Sequence, residues 1–321
     1  MRAVIAPEPG GPEALHLADV PDPEPGAGEV VIKIAAAGLN RADLMQRQGF
    51  YPPPPGASDI LGMECSGVIA AIGPDVEGWS IGDQCCALLA AGGYATHVAV
   101  PTGQVMPIPD GVSLVEAAAL PEVAATVWSN VSMIAGLRSG ETFLVHGGAG
   151  GIGSFAIQLG AALGADVVTT VGSPEKAQIC RSLGASRTIN YHDEAFEESV
   201  VADVILDNMG ASYLMRNVTA LADGGRLCII GLQGGAKAEL NINSLLRKRG
   251  HIIATALRSR SIESKSQICA AVVEHVWPLV AAGAIAPQVG STYSLHDVAR
   301  AHEFMESGAH TGKILLTLDR T

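Results

Sequence analysis

Charge and aromatic rings are both scarce in this chain: 16% of its 321 residues are Asp, Glu, Lys or Arg, and 4% are Phe, Trp or Tyr. Basic residues are the scarcer sign, with 20 Lys and Arg against 32 Asp and Glu for a formal net charge of -12. A nucleic-acid partner is disfavoured, because binding a phosphate backbone requires concentrated positive charge to release counterions. Only Arg247-Lys248-Arg249 and the pair Arg258 and Arg260 form small basic knots, read as solvated surface that can still meet one phosphate. No run of apolar residues reaches the roughly 18 needed to cross a bilayer, and the opening MRAVIAPEPGG lacks the apolar core of a secretory leader. The expectation is a cytoplasmic protein without a membrane anchor. The six cysteines form no C-x-x-C, so neither a zinc ribbon nor a disulfide framework is written here.

Apolar residues, at 48%, suffice for two cores of ordinary domain size. The first part reads as short β segments punctuated by Pro and Gly, as in RAVIAP, EVVIKIAAAG and YATHVAVP. From Glu141 the texture changes: TFLVHG, ADVVTTVG, ADVILD, GRLCIIG and HIIATAL alternate with helical stretches, the pattern of a parallel sheet flanked by helices. The tail offers a helix over 265–282, a strand in STYSL, a helix over 295–307 and a last strand in GKILLTL. The expected division is a barrel-like β domain over 1–120, a doubly wound α/β domain over 121–260, and a return to the first domain over 261–321.

The seven positions 147–153, GGAGGIG, hold five glycines between a strand and a helix, with Gly148, Gly150 and Gly153 in a G-x-G-x-x-G frame. That context predicts a dinucleotide site in which Gly148, Ala149, Gly150, Gly151, Ile152 and Gly153 bring backbone N–H groups and a helix amino terminus to a pyrophosphate. NAD sites commonly end the next strand with an acid that binds the ribose 2′-hydroxyl. Here the strand runs into Gly172 and Ser173, and Lys176 follows. A hydroxyl and an ammonium suit a 2′-phosphate, which favours NADPH.

Several stretches together resemble the medium-chain dehydrogenase/reductase superfamily over essentially the whole length: GEVVIKIAAAGLNRADLMQRQGFYPPPPGASDILGMECSGVIAAIG, AAALPEVAATVW, VHGGAGGIG, NYHDEAF, LRSRS and GKILLTL. Within it the chain is similar to the zinc-independent NADPH:quinone oxidoreductases, above all to the branch induced by a tumour suppressor in animals, on LNRADLMQRQG and PPPGAS. The resemblance implies a GroES-like β-barrel catalytic domain joined to a Rossmann fold. Zinc alcohol dehydrogenases of this superfamily carry cysteines where this chain has Asn40 and Glu122, and a histidine where it has Met63. Asn and Met are poor ligands for catalytic zinc, so no metal is expected.

The resemblance also assigns roles. Asn40 lies near the nicotinamide, supported by Asp43; as an alternative, Asn40 simply caps the helix that follows. Tyr51, among four prolines, orients the acceptor or bonds its developing oxyanion. Thr126, Tyr191, Asn208, Gly231 and Leu232 contact the cofactor, and Arg258 with Arg260 forms a basic loop over it. His146 is read as structural. The segment after NYHDEAF is shorter than in relatives, a clipped crossover beside the adenosine site. The implied reaction is metal-free hydride transfer from nicotinamide C4 to a quinone, by a homodimer joined along the strand 251–257. Reduction of α,β-unsaturated carbonyls or enoyl thioesters is the alternative, and NADPH binding without turnover is a third.

Overall fold

The computed structural model describes residues 1–318. The chain divides into two units, the first formed by Met1–Ala125, Leu257–Ala281 and the stretch from Pro287, the second by Thr126–Ala256 and Ala282–Ala286.

The first unit holds strands β1 (Arg2–Ile5), β2 (His16–Asp19), β3 (Glu29–Leu39), β4 (Glu64–Ile72), β5 (Gln84–Leu88), β6 (His97–Pro101) and β7 (Val105–Pro107). β1 and β2 pair alone, while the others join two late strands, β14 (Val289–Ser294) and β15 (Lys313–Thr317), in a sheet ordered β14-β15-β3-β4-β5-β7, with β6 also on β3. β3 is buried along almost its whole length because three strands flank it: Val30 to Lys33 face β6 on one edge, Ala36 to Leu39 pair with the end of the chain, and β4 runs opposite. That explains why EVVIKIAAAGL is nearly continuous in apolar and small residues instead of alternating. Two larger clusters, one around Leu39, Leu44, Tyr94 and Met305 and the other around Ile32, Ile69, Val98 and Val105, and a smaller one of Ala36, Ala118, Ala119 and Leu315 fill this unit.

The second unit contributes β8 (Thr142–His146), β9 (Asp166–Val171), β10 (Arg187–Asn190), β11 (Ala202–Asp207), β12 (Leu221–Ile229) and β13 (His251–Ala254). They form one parallel sheet in the order β10-β9-β8-β11-β12-β13. Counted from β8, that order is 3-2-1-4-5-6, the doubly wound arrangement whose direction of winding reverses between its first and fourth strands. The helix Phe196–Ser199, between β10 and β11, is a single turn, which is how the short NYHDEAFEESV segment makes its crossover. β13 ends at Ala254, so the strand expected over 251–257 is shorter, and Arg258 falls in the first unit.

The last strands, β14 (Val289–Ser294) and β15 (Lys313–Thr317), close onto β3. Between β13 and β14 the expected long helix breaks into Ile262–His275 and Trp277–Ala281, with Pro278 opening the second segment. Proline tolerates only the first turn of a helix, where no carbonyl lies behind it.

Candidate functional site

In the second unit the glycine turn sits at the carboxyl end of β8, at the switch point where open α/β sheets bind their ligands. The helix Gly151–Ala162 starts there, its N-cap Gly150 extended and without a capping side chain. Each glycine has its own reason. A Cβ on Gly153 would stand 2.3 Å from the Gly147 carbonyl oxygen and 2.6 Å from Gly148 Cα, so only glycine lets the helix pack on the turn. On Gly148 it would meet Thr169 Oγ1 at 2.1 Å. On Gly150 it would find nothing nearer than 3.6 Å. That residue therefore leaves space for a ligand, where the other two make room for the protein.

The neighbouring loops carry the remaining residues expected here. Ser173 caps the helix Pro174–Ser182, its hydroxyl accepting from the Lys176 N–H at 3.3 Å. The Tyr191 hydroxyl lies over Gly172, where an added Cβ would be 2.4 Å away, and the ring is half exposed. Asn208 follows β11, and its Oδ1 is buried without a hydrogen-bond partner beside Gly147. A buried amide oxygen left unpaired costs free energy that a ligand donor removes. A Cβ on Gly231 would stand 2.8 Å from the Asn208 carbonyl oxygen, so glycine lets the two loops meet, and Leu232 is exposed. The turn, Asn208 and Gly231 thus stand at the ends of the adjoining strands β8, β11 and β12. Thr126 is buried, its carbonyl accepting from Asn130 Nδ2 at 2.8 Å.

His146 ends β8 as a core residue. Its ring nitrogens lie 3.1 Å from Thr170 Oγ1 and 2.7 Å from Asn217 Oδ1, edge-on to Phe196 and Tyr213, and burial pushes it down to about 4.

In the first unit Asn40 stands at the N-cap position of helix Arg41–Arg47, and Asp43 accepts from its backbone N–H at 2.8 Å. Its carboxamide turns away from the helix. Nδ2 donates to Glu64 Oε1 at 2.8 Å, and Oδ1 accepts from Lys313 Nζ at 2.7 Å. Lys313 also reaches Glu64 Oε1 at 2.5 Å and Leu39 O at 3.3 Å, while Glu64 Oε2 accepts from the Glu122 N–H at 2.9 Å. Both charges are buried, Glu64 fully and Lys313 to 4% exposure, and each is answered on every side. A Cβ on Gly38 would sit 2.2 Å from Glu64 Oε1, so that glycine makes space for the carboxylate. Asp43 is wholly buried and burial raises it to about 6, although Tyr94 and the Gly62 N–H donate to it. Sequence reasoning missed Glu64, Lys313 and Tyr94. The trace was a lysine opening the otherwise apolar KILLT and an acid in GMEC.

Tyr51 is partly buried, and burial raises its phenol above the ordinary value, leaving it a hydrogen-bond donor. Arg258 overturns its expected exposure. It is 5% exposed, donating to Ala90 O at 2.6 Å, Gln46 Oε1 at 2.7 Å and Tyr51 O at 3.3 Å, with its guanidinium 5.3 Å above the Tyr51 ring. A planar fork that finds three acceptors has more to gain inside than in water. Arg260, two residues on, is only partly buried.

The family comparisons agree with this architecture. An alcohol dehydrogenase GroES-like domain model matches residues 26–110, and a zinc-binding dehydrogenase model matches residues 183–316. A GroES-like unit joined to a six-stranded parallel nucleotide-binding sheet defines a medium-chain dehydrogenase/reductase. The quinone oxidoreductase of Pseudomonas aeruginosa is 31% identical over 96% of both chains. The structure of Escherichia coli quinone oxidoreductase complexed with NADPH superposes with a TM-score of 0.87 at 29% identity, covering 98% of this chain and 99% of that one. A phenolphthiocerol/phthiocerol polyketide synthase subunit of Mycobacterium tuberculosis is also 31% identical over 97% of this chain, which spans only 14% of that protein's length. The chain belongs to the quinone oxidoreductase family of the medium-chain dehydrogenases/reductases.

The zinc in the name of one matching model does not fit these side chains. Asn40 is bonded to Glu64 and Lys313, an ammonium already neutralises that carboxylate, and Met63 offers no suitable donor. Among the described residues no cluster of three or more His, Cys, Asp or Glu is arranged to hold a metal.

Proposed function

We propose that the protein is an NADPH-dependent quinone reductase, using metal-free hydride transfer. The observation that carries the reading is the glycine turn at the sheet's switch point, with Gly150 open to a ligand and Asn208 Oδ1 unpaired beside Gly147. Membership of a family whose relatives are quinone oxidoreductases, one of them complexed with NADPH, supports it.

Bound NADPH supplies a hydride from C4 of its nicotinamide to an acceptor that delocalises the resulting negative charge. The residues Gly148 to Gly153 hold the pyrophosphate through main-chain N–H groups and the helix amino terminus. Gly172, Ser173 and Lys176 receive the 2′-phosphate, and Tyr191 with Leu232 borders the adenosine. Thr126, Asn208 and Gly231 line the remaining length of the cofactor. Asn40, fixed by Glu64 and Lys313, is assigned to the nicotinamide end of the reaction. Tyr51, its loop tied down by Arg258, donates a hydrogen bond to the acceptor oxygen, and the proton that completes reduction comes from solvent.

The enzyme acts on small molecules in the cytoplasm as a homodimer. The outer edge of β13 and the exposed Ile242 and Leu246 on the helix before it supply the motive for pairing. Steady-state assays with NADPH against a quinone panel and an enone panel test the proposal. Turnover with quinones supports it. Turnover with enones alone replaces it with the alternative, and binding without oxidation of NADPH leaves a non-enzymatic carrier.

A further inference from the structure

A pocket of about 560 Å³ within the first unit is assigned no part in the reaction above. The Pro54–Ser58 loop, the Leu89–Gly92 loop, β6 and the segment Arg258–Lys265 line it. That volume suits a small organic ligand. Its charge is uneven. Arg258, Arg260 and Lys265 converge on it, and the carboxylate at its rim, Glu29, is already engaged by the Gly26 N–H at 2.9 Å.

Lys265 is the telling residue. It lies on the first turn of the 14-residue helix Ile262–His275 at 4% exposure, burial lowers its ammonium below the ordinary lysine value, and among the described residues no carboxylate forms an ion pair with it. Burying an ammonium without a counter-ion costs several kcal/mol, a cost that a bound anion offsets. The same helix directs its amino terminus, capped by Ser261, to this pocket. Gln104, in the turn packed against this helix, is 2% exposed, and its Oε1 is buried without a hydrogen-bond partner. Two groups therefore lack partners in one pocket: a cation that needs an anion and an amide oxygen that needs a donor.

We propose that this pocket is a recognition subsite for an acidic side chain of the electron acceptor: a carboxylate or phosphate, held by Lys265 and Arg260, with a neighbouring amide or hydroxyl donating to Gln104. The inference rests on the quinone reductase reading for the word acceptor. The pocket's preference for such an anion stands apart from it.

The test uses the full-length protein and a naphthoquinone carrying an N-acylglycine side chain, its methyl ester, and a phosphomonoester counterpart. Calorimetry with N-acetylglycine and with the phosphomonoester side chain alone measures the pocket without turnover and separates the two anions. The acid is expected to bind, and to be reduced, about tenfold better than the ester. Lys265→Met abolishes that advantage while kcat/KM for the ester and the NADPH dissociation constant stay put, and Lys265→Arg retains it. An unchanged or raised Tm of Lys265→Met verifies that the variant folds. Equal handling of acid and ester, or an advantage that survives Lys265→Met, overturns the proposal. Should the side chains bind in this pattern while no quinone is reduced, the functional reading fails and the anion subsite stands.

Discussion

Lys313 and Glu64 meet 2.5 Å apart in the core of the first unit, with Asn40 bonded to both. An ion pair removed this far from water is held by completeness: each lone pair and each N–H that goes unanswered restores the desolvation cost. Lys313→Met strands the carboxylate and is expected to lower stability by about 3–5 kcal/mol in denaturant unfolding. Adding Glu64→Gln to that variant recovers much of the loss. If the single variant costs nothing, the pair does not hold Asn40 in place.

The glycine turn separates folding from binding. Gly153→Ala drives a methyl against the Gly147 carbonyl and is expected to destabilise by about 1–3 kcal/mol. Gly150→Ala meets no protein atom within 3.5 Å and adopts an extended backbone open to any residue, so its Tm stays near wild type. Its methyl occupies ligand space, and NADPH affinity falls at least about tenfold, equivalent to ~1.4 kcal/mol. Thermal melts and fluorescence titration distinguish the two variants.

Arg258 is built into the first unit, and its loss is felt there. Arg258→Met leaves the carbonyls of Ala90 and Tyr51 without their guanidinium donor and frees the Tyr51 loop. Stability drops by about 2–3 kcal/mol, KM for the quinone rises, and NADPH affinity is unchanged. A selective loss of NADPH affinity would instead return Arg258 to the cofactor.

His146 makes a pH signature. It stays neutral in the folded chain down to about 4, whereas an unfolded histidine takes up its proton near 6.5. Between those values the unfolded state binds the extra proton, so stability from this site is fully present above pH 6.5 and is lost as pH falls towards 4. The swing is about 3 kcal/mol. Unfolding free energies measured across that window are expected to be flatter for His146→Gln by roughly this amount.

Much of this molecule was legible in its residues because the signals were local. A strand, five glycines and a helix in immediate succession specify the turn after β8, and Ser173 at a helix start announces its own cap. What stayed hidden depends on partners far apart in sequence. Glu64 and Lys313 are 249 positions apart, and nothing local says that one neutralises the other. Arg258 looked like exposed charge because its acceptors, Gln46, Tyr51 and Ala90, come from over 160 residues away. The unpaired Lys265 and Gln104 became visible only once the pocket that contains both was formed.

The account turns on reduced cofactor bound by the second unit delivering its hydride to a quinone. Stopped-flow mixing of the NADPH-loaded protein with excess quinone measures that step in a single turnover. The expected result is loss of NADPH absorbance matched by hydroquinone formation, slowed when the transferred hydrogen is deuterium. Retention of NADPH on the protein in the presence of quinone would contradict it.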